Sequence, residues 1–303
     1  MSNILVTGGA GFIGSHIAAK LAADPNNLVI IADDLSTGRK RNIPKKKNIV
    51  FFDCDVNMLS EVIKIFLKHR IDYVFHYAAV VGVDRTLEHP VWVLRDIDGI
   101  ENILNLSKDS GVKKIFYASS SEVYGESITY PQHEETTPLN SRLPYAVVKN
   151  VGEAFLKSYQ QEYGLDYTIF RFFNTYGPNQ RPDFVISKFI EAAKRNQDIT
   201  IYGDGKQTRT FCYVNDNVDA CLKTFDEEGS VVNDVVNIGS DAEISMNDLA
   251  KAIIKVTGSK SKVVHVPPLK EGDMPRRQPD ITKMKQLLGR DFTPLEDGLK
   301  RCL

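Results

Sequence analysis

The sequence predicts an α/β fold: a doubly wound parallel sheet with a smaller, interleaved C-terminal lobe. Three observations carry that expectation. Short β-branched runs alternate with helical patterns through the first half of the chain, the βαβ rhythm that builds parallel sheets. A glycine cluster, Gly8-Gly9-Ala10-Gly11-Phe12-Ile13-Gly14, stands between the first run and the first helical pattern. After Tyr176-Gly177-Pro178 the rhythm breaks into shorter elements.

In chain order, the runs at 4–6, 28–31, 49–52, 73–75 and 115–117 read as strands buried on both faces, since each is short and nearly continuous in apolar residues. Helical spacing of apolar residues marks 11–23, 57–70, 90–109 and 145–163, and the last of these precedes a strand at 167–170. Beyond residue 178, a helix at 183–195, a strand near 199–202, helices near 215–226 and 245–257, and a Pro-rich stretch at 264–279 make up the second lobe. The basic run from Arg39 to Lys47 lies between two strands of an otherwise neutral chain and reads as a solvated loop.

With 303 residues, 42% of them apolar and 25% charged, the chain has ordinary globular composition and can bury a core without staples. A formal net charge of −1 gives no whole-protein field for nucleic acid or an anionic membrane, so neither is an expected partner. An anionic ligand must then be held by local arginines and backbone amides. Cys54, Cys212, Cys221 and Cys302 are scattered with no C-x-x-C pair, which suits a reducing cytoplasm and speaks against a disulfide framework or a metal site. The N-terminus lacks the basic and apolar regions of a signal peptide, and no apolar stretch is long enough to span a membrane.

The glycine cluster follows the first strand and opens a helix, where glycines let backbone approach a pyrophosphate whose charge rests on the helix N-terminus. Asp33, 19 residues beyond Gly14, ends the second strand, where a carboxylate accepts a hydrogen bond from a ribose 2′-OH. Together these are the two halves of a Rossmann-type fingerprint. Asp34 adds a charge that repels a 2′-phosphate, so NAD is expected rather than NADP. Tyr145-Ala146-Val147-Val148-Lys149 places a phenol and an ammonium at i and i+4 on one helix face. The ammonium is expected to lower the phenol toward working pH, as a general base requires. Ser119-Ser120-Ser121 lies just beyond the strand ending near 118, at the carboxyl edge where ligands of open α/β sheets bind.

On these motifs the sequence resembles the extended short-chain dehydrogenase/reductase family, in its group of nucleotide-sugar epimerases, dehydratases and decarboxylases. The resemblance covers nearly the whole chain. It also rests on Leu35-Ser36-Thr37-Gly38-Arg39, Asp53-Cys54-Asp55-Val56, Ser119 through Gly125, Arg171 through Pro178, Tyr202-Gly203-Asp204-Gly205, Thr208-Arg209-Thr210-Phe211 and Arg277-Gln278-Pro279-Asp280. It implies an NAD-binding domain at 1–172 with about 206–236, and a nucleotide-sugar lobe at 173–205 with 237–303. It implies that Tyr145 removes a sugar hydroxyl proton, that Lys149 tunes it and holds the nicotinamide ribose, and that Ser120 hydrogen-bonds the same oxygen. Gly8, Gly11, Phe12, Ile13, Gly14, Asp33, Asp34, Ser36, Thr37, Gly38, Asp55, Val56, Ala78, Ala79, Ser119 and Phe172 are then cofactor-binding positions. Ser120, Ser121, Asn174, Tyr202, Arg209 and Arg277 are substrate-binding positions, and a homodimer is implied through the helices at 90–109 and 145–163, whose apolar Val91, Leu94, Ile97, Ile100, Leu104, Val148, Val151 and Phe155 exceed what one sheet face requires.

The group shares a transient 4-keto sugar and then diverges. Glu122 stands where dehydratases and decarboxylases carry a Glu, but Ser121 precedes it where the dehydratase has Asp. Serine is a poor proton donor to a departing hydroxide, so a UDP- or dTDP-sugar 4-epimerase is expected first, with Glu122 hydrogen-bonding sugar or backbone. A 4,6-dehydratase or UDP-glucuronate decarboxylase is the alternative. A nucleotide-sugar ketoreductase would use NADPH, which Asp33 and Asp34 oppose, and a non-catalytic NAD sensor would need no Ser120–Tyr145–Lys149 set. Asp96 departs from the Asn that the resembling family usually carries in Asn-x-x-Gly.

Overall fold

The computed structural model describes residues 2–81, 86, 88–127, 129–226, 231–268 and 276–303. Gly82 to Arg85 lie outside the described residues, as does 269–275 of the Pro-rich stretch. The chain divides into two compact units, one of residues 1–125, 139–171 and 221–236, the other of 126–138, 172–220 and 237–303.

Strands β1 (Ser2–Thr7), β2 (Asn27–Asp33), β3 (Ile49–Asp53), β4 (Tyr73–His76), β5 (Lys114–Ser120) and β6 (Asp166–Phe172) appear where the apolar runs predict them. They form one seven-stranded sheet, read from one edge as the strand Asp234–Ile238, then β6, β5, β4, β1, β2 and β3. The pairings of β1 with β2 and β4, of β2 with β3, and of β4 with β5 are parallel, with Ile4 opposite both Val29 and Tyr73. From β1 the chain winds outward to β3, then crosses to β4 and winds the other way. The connections leaving β1 and β4 therefore diverge at their carboxyl ends, the switch point where open α/β sheets bind ligands.

The core of this unit lies between sheet and helices. Leu5, Ile30, Val74, Ile115 and Ile169 of the strands pack with Val62, Ile65, Ile100, Leu104, Val148 and Leu156 of the helices. Burying each such side chain contributes roughly 1.5–3 kcal/mol. The helix expected at 90–109 forms as Pro90–Leu94 and Asp96–Ser110. Arg95 between them keeps right-handed dihedrals, φ −66° and ψ −21°, while Arg95 N bonds Trp92 O and Asp98 N bonds Arg95 O. These i→i−3 bonds tighten one turn without ending the helical path. Ile100, Leu104 and Val148, which the sequence offers to a partner, belong to the chain's own core, whereas Val91, Trp92 and Leu94 are 63%, 45% and 44% exposed.

In the second unit, Thr175–Tyr176 pairs parallel with Cys212–Tyr213, Ile199–Tyr202 parallel with Val263–Val266, and Thr208–Thr210 antiparallel with Glu243–Ser245. Helices Val185–Lys194 and Met246–Thr257 pack against each other. The second of these starts under a capping box half: Ser245 Oγ accepts from Asp248 N at 3.1 Å. Among the described residues no helix is long and apolar enough to cross a membrane.

Candidate functional site

β1 runs into a turn that only glycine can make at two positions. Gly8 has φ 67°, and a Cβ there would lie 2.7 Å from Ala78 N; a Cβ on Gly14 would lie 2.3 Å from Gly8 O. The turn is thus pressed between the start of helix Phe12–Leu21 and the chain leaving β4. That helix begins at Gly11 with no side-chain cap and no acidic residue in its first turn, so its amides and positive dipole end are left for an anion.

Asp33, at the end of β2, binds the turn to the loop that follows. Its Oδ2 accepts from Ala10 N at 2.9 Å and its Oδ1 from Leu35 N at 2.9 Å. Burial pushes its carboxyl above the ordinary value. Two lone-pair sites remain on this carboxylate for a hydroxyl donor. A Cβ on Gly38 would meet Asp33 Oδ1 at 2.5 Å, so Gly38 lets the Ser36-Thr37-Gly38 loop close over the acid. Asp34 is exposed and accepts from Ser36 N at 2.9 Å. Asp55 Oδ1 accepts from Asn57 N at 2.9 Å, which holds Val56 nearly buried beyond β3. Glycine turn, uncapped helix and strand-end acid together fit the pyrophosphate and ribose of a dinucleotide.

Beyond β4, Thr7 Oγ1 accepts from Tyr77 N and Ala78 N, both at 3.1 Å, and so aligns Ala78 and Ala79. With both bonds accepted, the Thr7 hydroxyl donates to His76 Nδ1 at 2.9 Å, which puts the imidazole proton on Nε2. Burial, with Lys149 nearby, pushes His76 down to about 3, so the ring is neutral.

β5 delivers Ser119 and Ser120 to the same edge of the sheet. Ser120 caps the short turn Ser121–Tyr124, its Oγ accepting from Glu122 N at 3.2 Å. Tyr145 and Lys149 ride on helix Pro144–Tyr163, which starts on Pro144 and stops at Gly164 with φ 70°. Ser120 and Glu122 both act on the Tyr145 phenol, Ser120 lowering it and Glu122 raising it through its charge. Lys149 is 4% exposed, with Nζ 5.1 Å from the Tyr117 ring centre and 5.8 Å from that of Tyr145. Ser120, Glu122, Tyr145 and Lys149 are therefore brought together as the spacing predicts.

The electrostatics differ from the expectation in one respect. Burial pushes the Tyr145 phenol well up, with Glu122 and Asp96 adding to the rise and Ser120 opposing it. Burial likewise pushes the Lys149 ammonium down to about 8. Helical spacing brings the pair together but does not measure desolvation, and desolvation is the largest cause of both shifts.

One buried group escaped the sequence reading. Glu153 takes Arg171 Nε at 2.9 Å and Nη2 at 2.7 Å, and accepts from Ser119 Oγ at 2.6 Å. The signal was available: Glu153 lies at i+4 from Lys149 and i+8 from Tyr145 on one helix face. Asp96, which the sequence marks as a departure from the usual Asn, is buried at 8% exposure rather than facing solvent.

In the second unit, Asn174 Nδ2 donates to Thr210 O at 3.3 Å, beside Arg209 of the strand Thr208–Thr210. Arg209 Nη1 donates to Thr208 O at 2.8 Å. Tyr202 is 44% exposed at the end of its strand, before Gly203 and Gly205 with φ 70° and 72°. Phe172 and Arg277 are partly buried. Arg276 is committed elsewhere, its Nε 2.6 Å from Glu243 Oε1 and its Nη2 2.8 Å from Gln278 Oε1. Among the described residues no group of three His, Cys, Asp or Glu is placed to hold a metal.

Residues 4–239 match the NAD dependent epimerase/dehydratase family. The chain is 38% identical over 323 residues to UDP-N-acetyl-alpha-D-glucosaminuronate decarboxylase of Bacillus cytotoxicus, covering 99% of this chain and 96% of that protein. Its fold is similar to UDP-glucose 4-epimerase of Thermotoga maritima, solved with UDP-glucose, at TM-score 0.92 and 36% identity over 99% of this chain and 96% of that one. It is also similar to UDP-N-acetylglucosamine 4-epimerase of Methanobrevibacter ruminantium, in complex with UDP-N-acetylmuramic acid, at TM-score 0.89 and 33% identity over 99% and 96%. A matched family model, a shared fold and a dinucleotide-shaped edge agree: the chain belongs to the NAD dependent epimerase/dehydratase family, an enzyme whose cofactor is NAD.

Proposed function

We propose that this enzyme is a nucleotide-sugar 4-epimerase acting on a UDP- or dTDP-linked sugar through a transient 4-keto sugar. The observation that carries the reading is Tyr145 one helical turn before a buried Lys149, whose Nζ lies 5.8 Å from the Tyr145 ring centre. As phenolate, Tyr145 accepts the proton of the sugar 4-hydroxyl, and Ser120 donates to the same oxygen. When bound, NAD supplies the hydride acceptor and a positively charged ring that favours the phenolate. Gly8, Gly11, Phe12, Ile13, Gly14, Asp33, Ser36, Thr37, Gly38, Asp55, Val56, Ala78, Ala79, Ser119 and Phe172 would hold it, and Lys149 would bond its ribose. Asp34, with Asp33, would turn away a 2′-phosphate. Asn174, Arg209 and Arg277 would take the diphosphate, where guanidinium forks suit phosphate oxygens, with Tyr202 beside the base. Ser121 would line the sugar site. Free thiols at all four cysteines support a cytoplasmic location.

Decarboxylation of a UDP-uronic acid is the second reading, favoured by the Bacillus cytotoxicus relative and by Glu122 after Ser121. An NMR and mass time course with a panel of nucleotide sugars in deuterated water separates the reactions. Interconversion of two C4 epimers is expected, without deuterium at C5 or mass lost as water, and Glu122→Gln should keep much of the activity. Water loss or a C5 deuteron means a dehydratase; CO₂ from a UDP-uronic acid means a decarboxylase.

A homodimer is proposed through the helices Pro90–Leu94, Asp96–Ser110 and Pro144–Tyr163, supported by the exposed Val91, Trp92 and Leu94. Light scattering at micromolar concentration is expected to give the mass of two chains; a monomer counts against it.

A further inference from the structure

We infer that Asn237 is a positioning residue for Arg277: its buried side-chain amide ties the irregular segment carrying Arg277 to the end of the strand Asp234–Ile238. The inference rests on the reading of Arg277 as a ligand of the diphosphate.

A segment outside helix and sheet has no ladder to fix it, and residues 276–280 form such a segment, with a single isolated bridge between Pro279 and Gln132. Buried groups of the same unit supply the missing bonds. Asn237 Nδ2 donates to Gln132 O at 2.9 Å and to Asp280 O at 3.2 Å, while Asn237 N donates to Glu134 Oε1 at 2.8 Å. Gln132 N donates to Gln278 O, and Asp280 N to Gln132 O, both at 2.7 Å. Residues 132–134 are thus clasped between the strand end and the Arg277 segment. Gly239 lets that segment close in, since a Cβ there would lie 3.1 Å from Pro279 Cγ and 2.9 Å from Phe173 Cβ. On the other side of Arg277, Tyr130 OH donates to Arg276 O at 3.1 Å, and the Arg276 guanidinium pairs with Glu243. Arg277 therefore stands between two fixed neighbours, Arg276 and Gln278.

The same strand end holds a second proposed diphosphate ligand. Phe173 N donates to Ile238 O at 2.8 Å, and Asn174 is the next residue. Asn174 and Arg277 are thereby referred to adjacent residues of one strand.

Packing alone does not ask for asparagine here. The strand is otherwise apolar at Val235, Val236 and Ile238, and an aliphatic side chain would fill the position without desolvating an amide. Asn237 has no exposed surface, so its donors must find partners. Both side-chain partners are carbonyl oxygens, which only accept, so the position calls for an amide with two donors. An aspartate carboxylate of the same shape donates to neither, and a serine hydroxyl to one.

UDP and dTDP, which carry the diphosphate without a sugar, are titrated into the full chain by calorimetry, and NAD is titrated separately. Arg277→Ala should weaken nucleotide binding about ten- to hundredfold, the share of a bond to a charged group. Asn237→Ala should weaken it about tenfold with NAD affinity kept. Added to Arg277→Ala, it should cost little more, because its effect passes through that guanidinium. Asn237→Ser, which keeps one donor, should fall between parent and Asn237→Ala, and it stands in if the alanine variant folds poorly. Equal losses of NAD and nucleotide binding, or full additivity with Arg277→Ala, would mark Asn237 as merely structural and overturn the proposal. Unchanged affinity in Arg277→Ala sinks the diphosphate reading of Arg277 and this inference with it. A loss in Arg277→Ala with none in folded Asn237→Ala sinks the positioning role alone.

Discussion

Replacing Tyr145 by phenylalanine is expected to lower turnover by about 10²–10⁴-fold, the usual share of a general base. The ring packs against the core of the first unit and stays, so the change removes one oxygen and little else. Ser120 keeps its bond from Glu122 N, and the glycine turn and Asp33 keep theirs, because none passes through the phenol. NAD affinity and melting temperature should therefore match the parent while the rate falls. Stopped-flow hydride transfer and steady-state turnover measure the loss; an unchanged rate in folded protein would make the Tyr-x-x-x-Lys spacing structural. In the parent, burial pushes the phenol up, so the base form is gained as pH rises. Loss of the Lys149 proton near about 8 limits the gain on the alkaline side.

What the sequence made legible is what local spacing encodes. Apolar runs of three or four residues located β1 to β5, because a parallel strand buried on both faces has no polar residue to hide it. The glycine turn and Asp33 were found from their order along one βαβ unit, and Tyr145 and Lys149 from one helical turn. Burial set by distant chain was not legible. Asp96 could as well have faced solvent, since Val80, whose amide donates to it, comes from another loop. The rise of Tyr145 depends on desolvation, which no spacing reports. Ile100 and Val148 were offered to a partner because period alone cannot separate a helix's sheet-facing side from its outer side. The strand Asp234–Ile238 at the sheet edge and the short strands of the second unit other than Ile199–Tyr202 are too short or too isolated to carry a period.

The buried pair of Glu153 and Arg171 leads to the largest expected change in stability. Their side chains are 1% and 2% exposed, and the guanidinium meets the carboxylate through two parallel bonds of 2.9 and 2.7 Å. Arg171 Nη1 also donates to Tyr124 OH at 2.9 Å, and Ser119 Oγ completes the carboxylate at 2.6 Å. The pair thus joins helix Pro144–Tyr163 to β6 and to the end of β5 beneath Ser120. Glu153→Ala strands a buried guanidinium, and breaking such a pair from one side costs about 3–5 kcal/mol, a large part of the roughly 5–15 kcal/mol that holds a domain folded. Ser119 loses its acceptor in the same step, so Ser120 should drift and turnover fall with stability. The cost comes from the uncompensated charge rather than from any great net worth of the pair. Replacing both partners, Glu153→Leu with Arg171→Met, should therefore recover much of the lost stability. Urea unfolding of the two single variants and the double variant closes the cycle. A Glu153→Ala protein within about 1 kcal/mol of the parent, near the level of an exposed pair, would show that the interior there relaxes or admits water.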